Sequence, residues 1–376
     1  MTRRLLHILN FVPTGTRTFD HFLLALTQLA CVEGWEVRLV FSGEPAAGFA
    51  RTLAELGVRY HVVPMPLTMA SRRQLIRQLD GFRPEVTLTN FLSPFSLPLL
   101  LMKLLGDTPR LVVRDNSSGT ARPGGAVRRV LRRVRSRVVG RVIDAQLPVS
   151  AFVARRNVDD MGLPADKVYT VLNGIDVERY PFAERTPGPV LRIGFAGQLL
   201  VEKGVDTLLV ALSELQAAGV PFEARLAGRG RAEGDFKALA ASLKLTGVEF
   251  LGHIDSVPAL FAWAEVVVAP SRWAEAFGLV AAEAMATGAV VVSSDAGGLP
   301  EVVGDAGRVF PTGDAAALAR VLSELAADPA ERRRLGAAGR QRVVEKFQLS
   351  QMLAGIYGVL DRVSAQDRPT PSRDAL

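Results

Sequence analysis

Cysteine and histidine are scarce in this chain. A single cysteine, Cys31, excludes an internal disulfide and a cysteine-built metal site, and it fits a reducing cytoplasm. Four histidines, at 7, 21, 61 and 253, are too scattered for a His-rich metal centre. Long apolar runs are missing too. The start, MTRRLLHILNFVPTG, has the basic opening of a secretion signal, but His7 and Asn10 interrupt its apolar run and no small-residue cleavage site follows. A first buried strand is the better reading. The stretch FLSPFSLPLLLMKLLG (91–106) is short for a membrane span and carries Pro94, Pro98 and Lys103. It reads as a loop leading into a buried helix. Neither half holds a G-x-G-x-x-G fingerprint, which disfavours a dinucleotide-dependent oxidoreductase. No Ser-His-Asp or Cys-His signature is present either.

What is present is ordinary globular material. The chain has 376 residues, 48% hydrophobic and 22% charged, with a mean hydropathy of +0.20. That length exceeds one ordinary core and implies two domains. The net charge of +7 is uneven. Residues 1–185 hold 26 Lys and Arg against 16 Asp and Glu, whereas residues 186–376 hold 19 against 22. The first half therefore suits an anionic partner and the second does not.

Strand-like and helix-like patterns alternate along the chain. Strands are expected at 5–11, 36–41, 60–63, 86–89, 111–113 and 145–148, with amphipathic helices such as 19–32 and 50–56 between them. The alternation predicts an α/β fold with a parallel doubly wound sheet. The segment YPFAERTPGP (180–189) concentrates proline, glycine and charge and reads as a linker. The rhythm restarts at 191–196, 222–227, 248–251, 266–269 and 289–293. This gives a first domain over 1–185 and a second over 186–350. A C-terminal helix over 351–363 is expected to return to the first domain, and 364–376 reads as a disordered tail. Ligands of such sheets bind beyond the carboxyl ends of strands, and two facing domains make a cleft for them.

Several motifs follow strands. GFAGQLLVEKG (194–204) offers Gly197 and Gly204 for close backbone approach and Lys203 near a helix start, a suitable setting for a diphosphate. LAGRGRAEGDF (226–236) adds Gly228 and Gly230 for close approach and Arg229 or Arg231 for a phosphate, although on its own it reads better as a glycine turn with solvated arginines. His253 in LGHID (251–255) could lie against a base or be structural. In FVPTGTRTFDHF (11–22), the amides of Gly15 and Thr16 could face a phosphate or sugar. Finally, PSRWAEAFGLVAAEAMATG (270–288) keeps Glu275 and Glu283 where no Lys or Arg occurs between Phe277 and Val292. With Glu275 in a loop and Glu283 on the second helical turn, the two are on the order of 10 Å apart. That is too wide to assume one acid/base pair, and it suits two anchors along one extended ligand. The bland alternative is one buried and one capping glutamate.

In combination these segments resemble retaining glycosyltransferase family 4. PSRWAEAFGLVAAEAMATG resembles its E-x7-E motif, VVSSDAGGLPEVV (291–303) its G-G-x-P-E segment, and GFAGQLLVEKG its G-R-L-x-x-x-K-G loop. The match runs over roughly residues 170–350. The resemblance implies a GT-B fold of two Rossmann-like domains. It also implies sugar transfer from a UDP-, GDP- or ADP-sugar with retention, and no essential metal or cofactor. It assigns the catalytic positions to Glu275, at the sugar hydroxyls, and Lys203, at the diphosphate. Further donor contacts fall to Gly15, Thr16, Gln198, Arg229, His253, Phe277, Gly278, Leu279 and, at the ribose, Glu283. Two residues depart from the family pattern. Gln198 stands where an arginine is usual, and Arg114 in LVVRDNSS (111–118) replaces a histidine. These departures keep a non-catalytic sugar-nucleotide-binding protein as an alternative, and a GT-B epimerase is a further one.

Residues 122–141, RPGGAVRRVLRRVRSRVVGR, hold eight arginines and no acid. Val127, Val130, Leu131, Val134, Val138 and Val142 share a helical stripe. A core-packed helix with a solvated Arg face accounts for this. So does attachment to an anionic membrane surface through Arg128, Arg129, Arg132, Arg133, Arg135 and Arg137. Nucleic acid is disfavoured because no aromatic residue is available for base stacking. With the resemblance, the expectation is a cytoplasmic enzyme, peripheral on the inner face of the membrane. Its acceptor would be a glycan, a lipid-linked or a small-molecule acceptor of cell-envelope polysaccharide synthesis.

Overall fold

A computed structural model of the chain describes residues 3–15, 18–93, 95–117, 126–186 and 188–365, without the side chains of 126–129 and 131–133. These residues form two compact units. Described residues up to 117, residues 126–172 and residues from 352 onward make one, and Asn173–Gln351 make the other.

The first unit is a six-stranded parallel sheet, with strands β1 (Arg3–Leu9), β2 (Trp35–Phe41), β3 (Arg59–Val62), β4 (Val86–Asn90), β5 (Leu111–Asp115) and β6 (Ala145–Pro148) in the order β3-β2-β1-β4-β5-β6. Central strands of such sheets are covered on both faces, and β4 and β5 are buried at every residue. The helix Leu97–Leu104 corrects an expectation. Pro98, Leu99 and Met102 are buried, but Leu97 and Leu104 are exposed. Ser364 and Ala365, expected in the tail, belong to the helix Leu349–Ala365, where the Ser364 hydroxyl bonds to Glu85. The remaining tail, 366–376, lies outside the described residues.

The second unit repeats the plan with β7 (Leu191–Ala196), β8 (Phe222–Ala227), β9 (Val248–Gly252), β10 (Val266–Ala269), β11 (Val290–Ser294) and β12 (Arg308–Phe310), ordered β12-β11-β10-β7-β8-β9. Leu208, Leu212 and Leu215 of the helix Val205–Ala217 pack into one core with Leu318, Leu322 and Leu325 of Ala315–Ala327. The helical region after 315 is broken by Asp328, whose carboxylate caps Pro329–Lys346 by accepting from the Glu331 N–H at 2.9 Å. The stretch read as a linker is anchored instead. Arg185 donates to the carbonyls of Phe261, Ala264 and Thr287 and to the Thr287 hydroxyl, at 2.6–3.0 Å. Among the described residues no helix is long and apolar enough to cross a membrane.

One buried histidine sets an acid limit on the first unit. His7 in β1 is enclosed, with its Nε2 accepting from Asn90 Nδ2 at 2.6 Å. Burial, helped by the Arg114 charge, lowers its pKa to about 3. The unfolded chain then binds the proton more readily than the folded one, so stability falls as pH drops from about 6.5 toward about 3, by at most ~1.4 kcal/mol per pH unit. Thermal unfolding should show the melting temperature dropping between pH 7 and pH 5, with a flatter profile in His7→Gln.

Candidate functional site

In the second unit β7 and β10 are neighbours from which the chain departs in opposite directions, to β8 and to β11. Such a switch point opens a crevice at the carboxyl ends of the strands. The loops there are laid backbone against backbone. Gly204, at φ +68°, ends the loop after β7, and a Cβ there would fall 1.9 Å from the Pro270 carbonyl oxygen after β10. A Cβ on Gly228 would fall 1.7 Å from the Gly197 carbonyl oxygen, and one on Gly230 would fall 2.2 Å from that of Leu199. Only glycine allows this approach. Hydrogen bonds stitch the same loops: Leu199 N to Arg229 O at 3.0 Å, and Arg272 N and Trp273 N to Glu202 O at 2.9 and 3.1 Å.

Glu275 sits in the loop between β10 and the helix Leu279–Ala286, bridged to Gly297 after β11. Its carbonyl accepts from Gly298 N at 2.8 Å. Its Oε1 accepts from Lys203 Nζ at 2.6 Å and from the Ser271 hydroxyl at 2.9 Å. The structure therefore joins the two residues to which the resemblance gives catalytic positions. Ser271 is buried, and its own carbonyl accepts from the Ser294 hydroxyl at 2.6 Å. The sequence reading missed this support, although Ser271 lies in the quoted motif.

The other expected residues surround this pair unevenly. Gly278 caps the helix at φ +110°, an angle that a side chain would strain, and Leu279 opens it. Phe277 is buried edge-on against Phe347, with centroids 5.3 Å apart. Glu283 is the fifth residue of that helix and is buried. Gln198, Arg229 and His253 are exposed in the loops after β7, β8 and β9. Arg229 makes no ion pair among the described residues, whereas Arg231 is paired with Glu202 at 2.8 Å. No group of three or more His, Cys, Asp or Glu among the described residues is arranged to hold a metal ion.

In the first unit the expectations change. The Gly15 N–H donates to the buried Asp20 carboxylate at 2.9 Å, so it is not an open donor for a phosphate. Thr16 lies outside the described residues. Arg114 is enclosed, with Nη2 3.0 Å from Met352 Sδ and its guanidinium 5.3 Å from the Phe22 ring centre; burial lowers its pKa to about 9. It is a buried group of the first unit's core. Beside it, the sequence reading missed Asp115, whose carboxylate accepts from Ser117 N, Gln146 and Asn157 at 2.9–3.1 Å and faces Arg156 at 3.8 Å.

Both halves of the chain match known glycosyltransferase families. The family model described as "Glycosyl transferases group 1" matches residues 176–342, and that of "Glycosyltransferase Family 4" matches residues 21–179. The chain belongs to glycosyltransferase family 4. Glycogen synthase of Mycobacterium tuberculosis is 33% identical over 254 residues, covering 65% of this chain and 61% of its own length. The chain thus spans about three fifths of that relative. The GT-B fold is shared with a glycosyltransferase from Rickettsia africae, at a TM-score of 0.79 and 16% identity over 98% of this chain and all of the other. It is shared also with Anabaena HepE, solved with UDP and glucose, at a TM-score of 0.75 and 18% identity over 95% and 99%.

The glycine packing yields a paired prediction. In Gly297→Ala the new Cβ would lie 2.3 Å from the Glu275 carbonyl oxygen, on top of the ~1–2 kcal/mol that alanine costs at positive φ. Gly313, at φ +81° with nothing within 4 Å, carries the conformational cost alone. Thermal unfolding should show Gly297→Ala clearly less stable than Gly313→Ala.

Proposed function

We propose that this chain is a retaining, metal-independent glycosyltransferase. It moves a sugar from a nucleoside-diphosphate sugar to a hydroxyl of a glycan, lipid-linked or small-molecule acceptor in cell-envelope polysaccharide synthesis. The observation that carries the reading is the Lys203–Glu275 contact at 2.6 Å, held between the loops after β7 and β10. In a nucleoside-diphosphate sugar, the anomeric carbon and the diphosphate share one oxygen. A cation for the phosphate and a carboxylate for the sugar hydroxyls must therefore lie side by side.

In this mechanism Lys203 exchanges Glu275 for the diphosphate and stabilises the negative charge that grows on the leaving oxygen. Arg229 adds charge from the next loop, in place of the arginine that Gln198 replaces. The backbone N–H groups at Gly278 and Leu279 present a helix N-terminus to the same anion. Glu275 orients the sugar, and Glu283 holds the ribose. The acceptor oxygen bonds to the anomeric carbon on the face that the diphosphate leaves, and its proton passes to a phosphate oxygen. Ser271 fixes the Glu275 rotamer. HepE, solved with UDP and glucose, favours UDP among the candidate carriers. The cytoplasmic leaflet, where nucleotide sugars are available, is the proposed place of work.

A thermal-shift panel of UDP-, GDP- and ADP-sugars should show stabilisation by one carrier class; no shift with any of them would count against the reading. Lys203→Ala should weaken diphosphate ligands far more than nucleosides. Glu275→Gln should lose transfer by at least a hundredfold yet hold the nucleoside diphosphate as tightly or more so, because Lys203 is released from its partner. With an acceptor in hand, NMR should show a product of the donor's anomeric configuration, formed equally well in EDTA.

A further inference from the structure

The Arg-rich helix is built differently from what its valine pattern suggested. Ser136, Val139 and Gly140 face inward, and Gly140 lies so close to Pro164 that a Cβ would meet that ring at 2.5 Å. Val130, Val134 and Val138 are more than half exposed. At about 100° per residue these three fall within about 80° of one another, on the side of the helix opposite its buried face. These three valines therefore point to solvent rather than into the core. Arg137 and Arg141 share that outer side, and Arg135 flanks it with its guanidinium 4.2 Å above the Phe95 ring. The helix Leu97–Leu104 packs alongside through Leu99, in one cluster with Val139, and it too leaves Leu97 and Leu104 exposed.

We infer that the helix Ala126–Val142 is an interfacial element that lays Val130, Val134 and Val138 into the headgroup boundary of an anionic bilayer, with Arg135, Arg137 and Arg141 on lipid phosphates. The inference deepens the proposed lipid-linked acceptor and rests on that reading for what the bilayer carries. Three observations select the occupant. Residues 116–143 contain no Asp or Glu, so the partner is anionic. Apolar side chains at the middle of a cationic face gain nothing against nucleic-acid phosphates but gain in an acyl boundary. A second copy would bring the same arginines against these and repel.

The test uses the full chain with vesicles of phosphatidylcholine alone or mixed with phosphatidylglycerol. The chain should co-sediment with the mixed vesicles and not with phosphatidylcholine alone. V130N/V134N/V138N, on a solvent face and so tolerable to the fold, should weaken that binding at least tenfold, and R135Q/R137Q/R141Q should weaken it and reduce its salt dependence. Val134→Trp should blue-shift on binding and be quenched by brominated lipid. Adsorption without blue shift or quenching, or with full binding by the valine variant, would overturn insertion. Equal binding to both vesicles, or dimerisation or RNA binding without vesicle binding, would overturn the lipid assignment. Nucleotide-sugar thermal shifts on the same samples should be unchanged by all these substitutions. Their absence throughout would fault the proposed function while leaving the vesicle result standing.

Discussion

The candidate site depends on peptide groups touching peptide groups. At Gly204, Gly228, Gly230 and Gly297 the loops beyond β7, β8, β10 and β11 come so near one another that a single methyl would collide with a carbonyl. A side chain on a loop is only as well placed as the loop itself. Here each loop is braced by the next and each leads out of a strand of the second sheet. Lys203 and Glu275 are far apart in sequence, yet their contact follows from that bracing, because the residues beside them are already locked.

Much of this was legible in the sequence, for identifiable reasons. Val266–Val268 is the continuous apolar run expected of a buried parallel strand, LRIGFA (191–196) and FEARLA (222–227) are apolar with single charged interruptions, and the three expected segments coincide with β7, β8 and β10. Gly197 and Gly228, immediately after β7 and β8, marked the crowded loops there. β12 was not seen, since the three residues Arg308–Phe310 are too few to show a period. The anchoring of Arg185 was invisible as well. Apart from the Thr287 hydroxyl its partners are main-chain carbonyls, as far away as that of Thr287 itself, and carbonyls leave no trace in residue identity.

The site residues divide along the same line. The motif spacing marked Glu275 and Lys203, but it could not say that their side chains meet or that Ser271 shares the carboxylate. In the first unit, Gly15 looked like an open phosphate loop because Asp20 five residues later carried no signal as its partner. Val130, Val134 and Val138 of the Arg-rich helix failed in a further way. Periodicity reveals that apolar residues share a side, but not whether that side meets protein or solvent.

The Lys203–Glu275 contact also bears on product release. A cation held only for phosphate would keep the nucleoside diphosphate after the sugar had gone. Once Lys203 has the role proposed for it, the neighbouring carboxylate is an internal rival for the same charge. Under that proposal it would yield while the sugar occupies its hydrogen bonds and would reclaim the lysine when the sugar departs. Under the proposed mechanism the Lys203–Glu275 pair would act as a spring for product expulsion, so that turnover would draw on it as well as on the bond-making step.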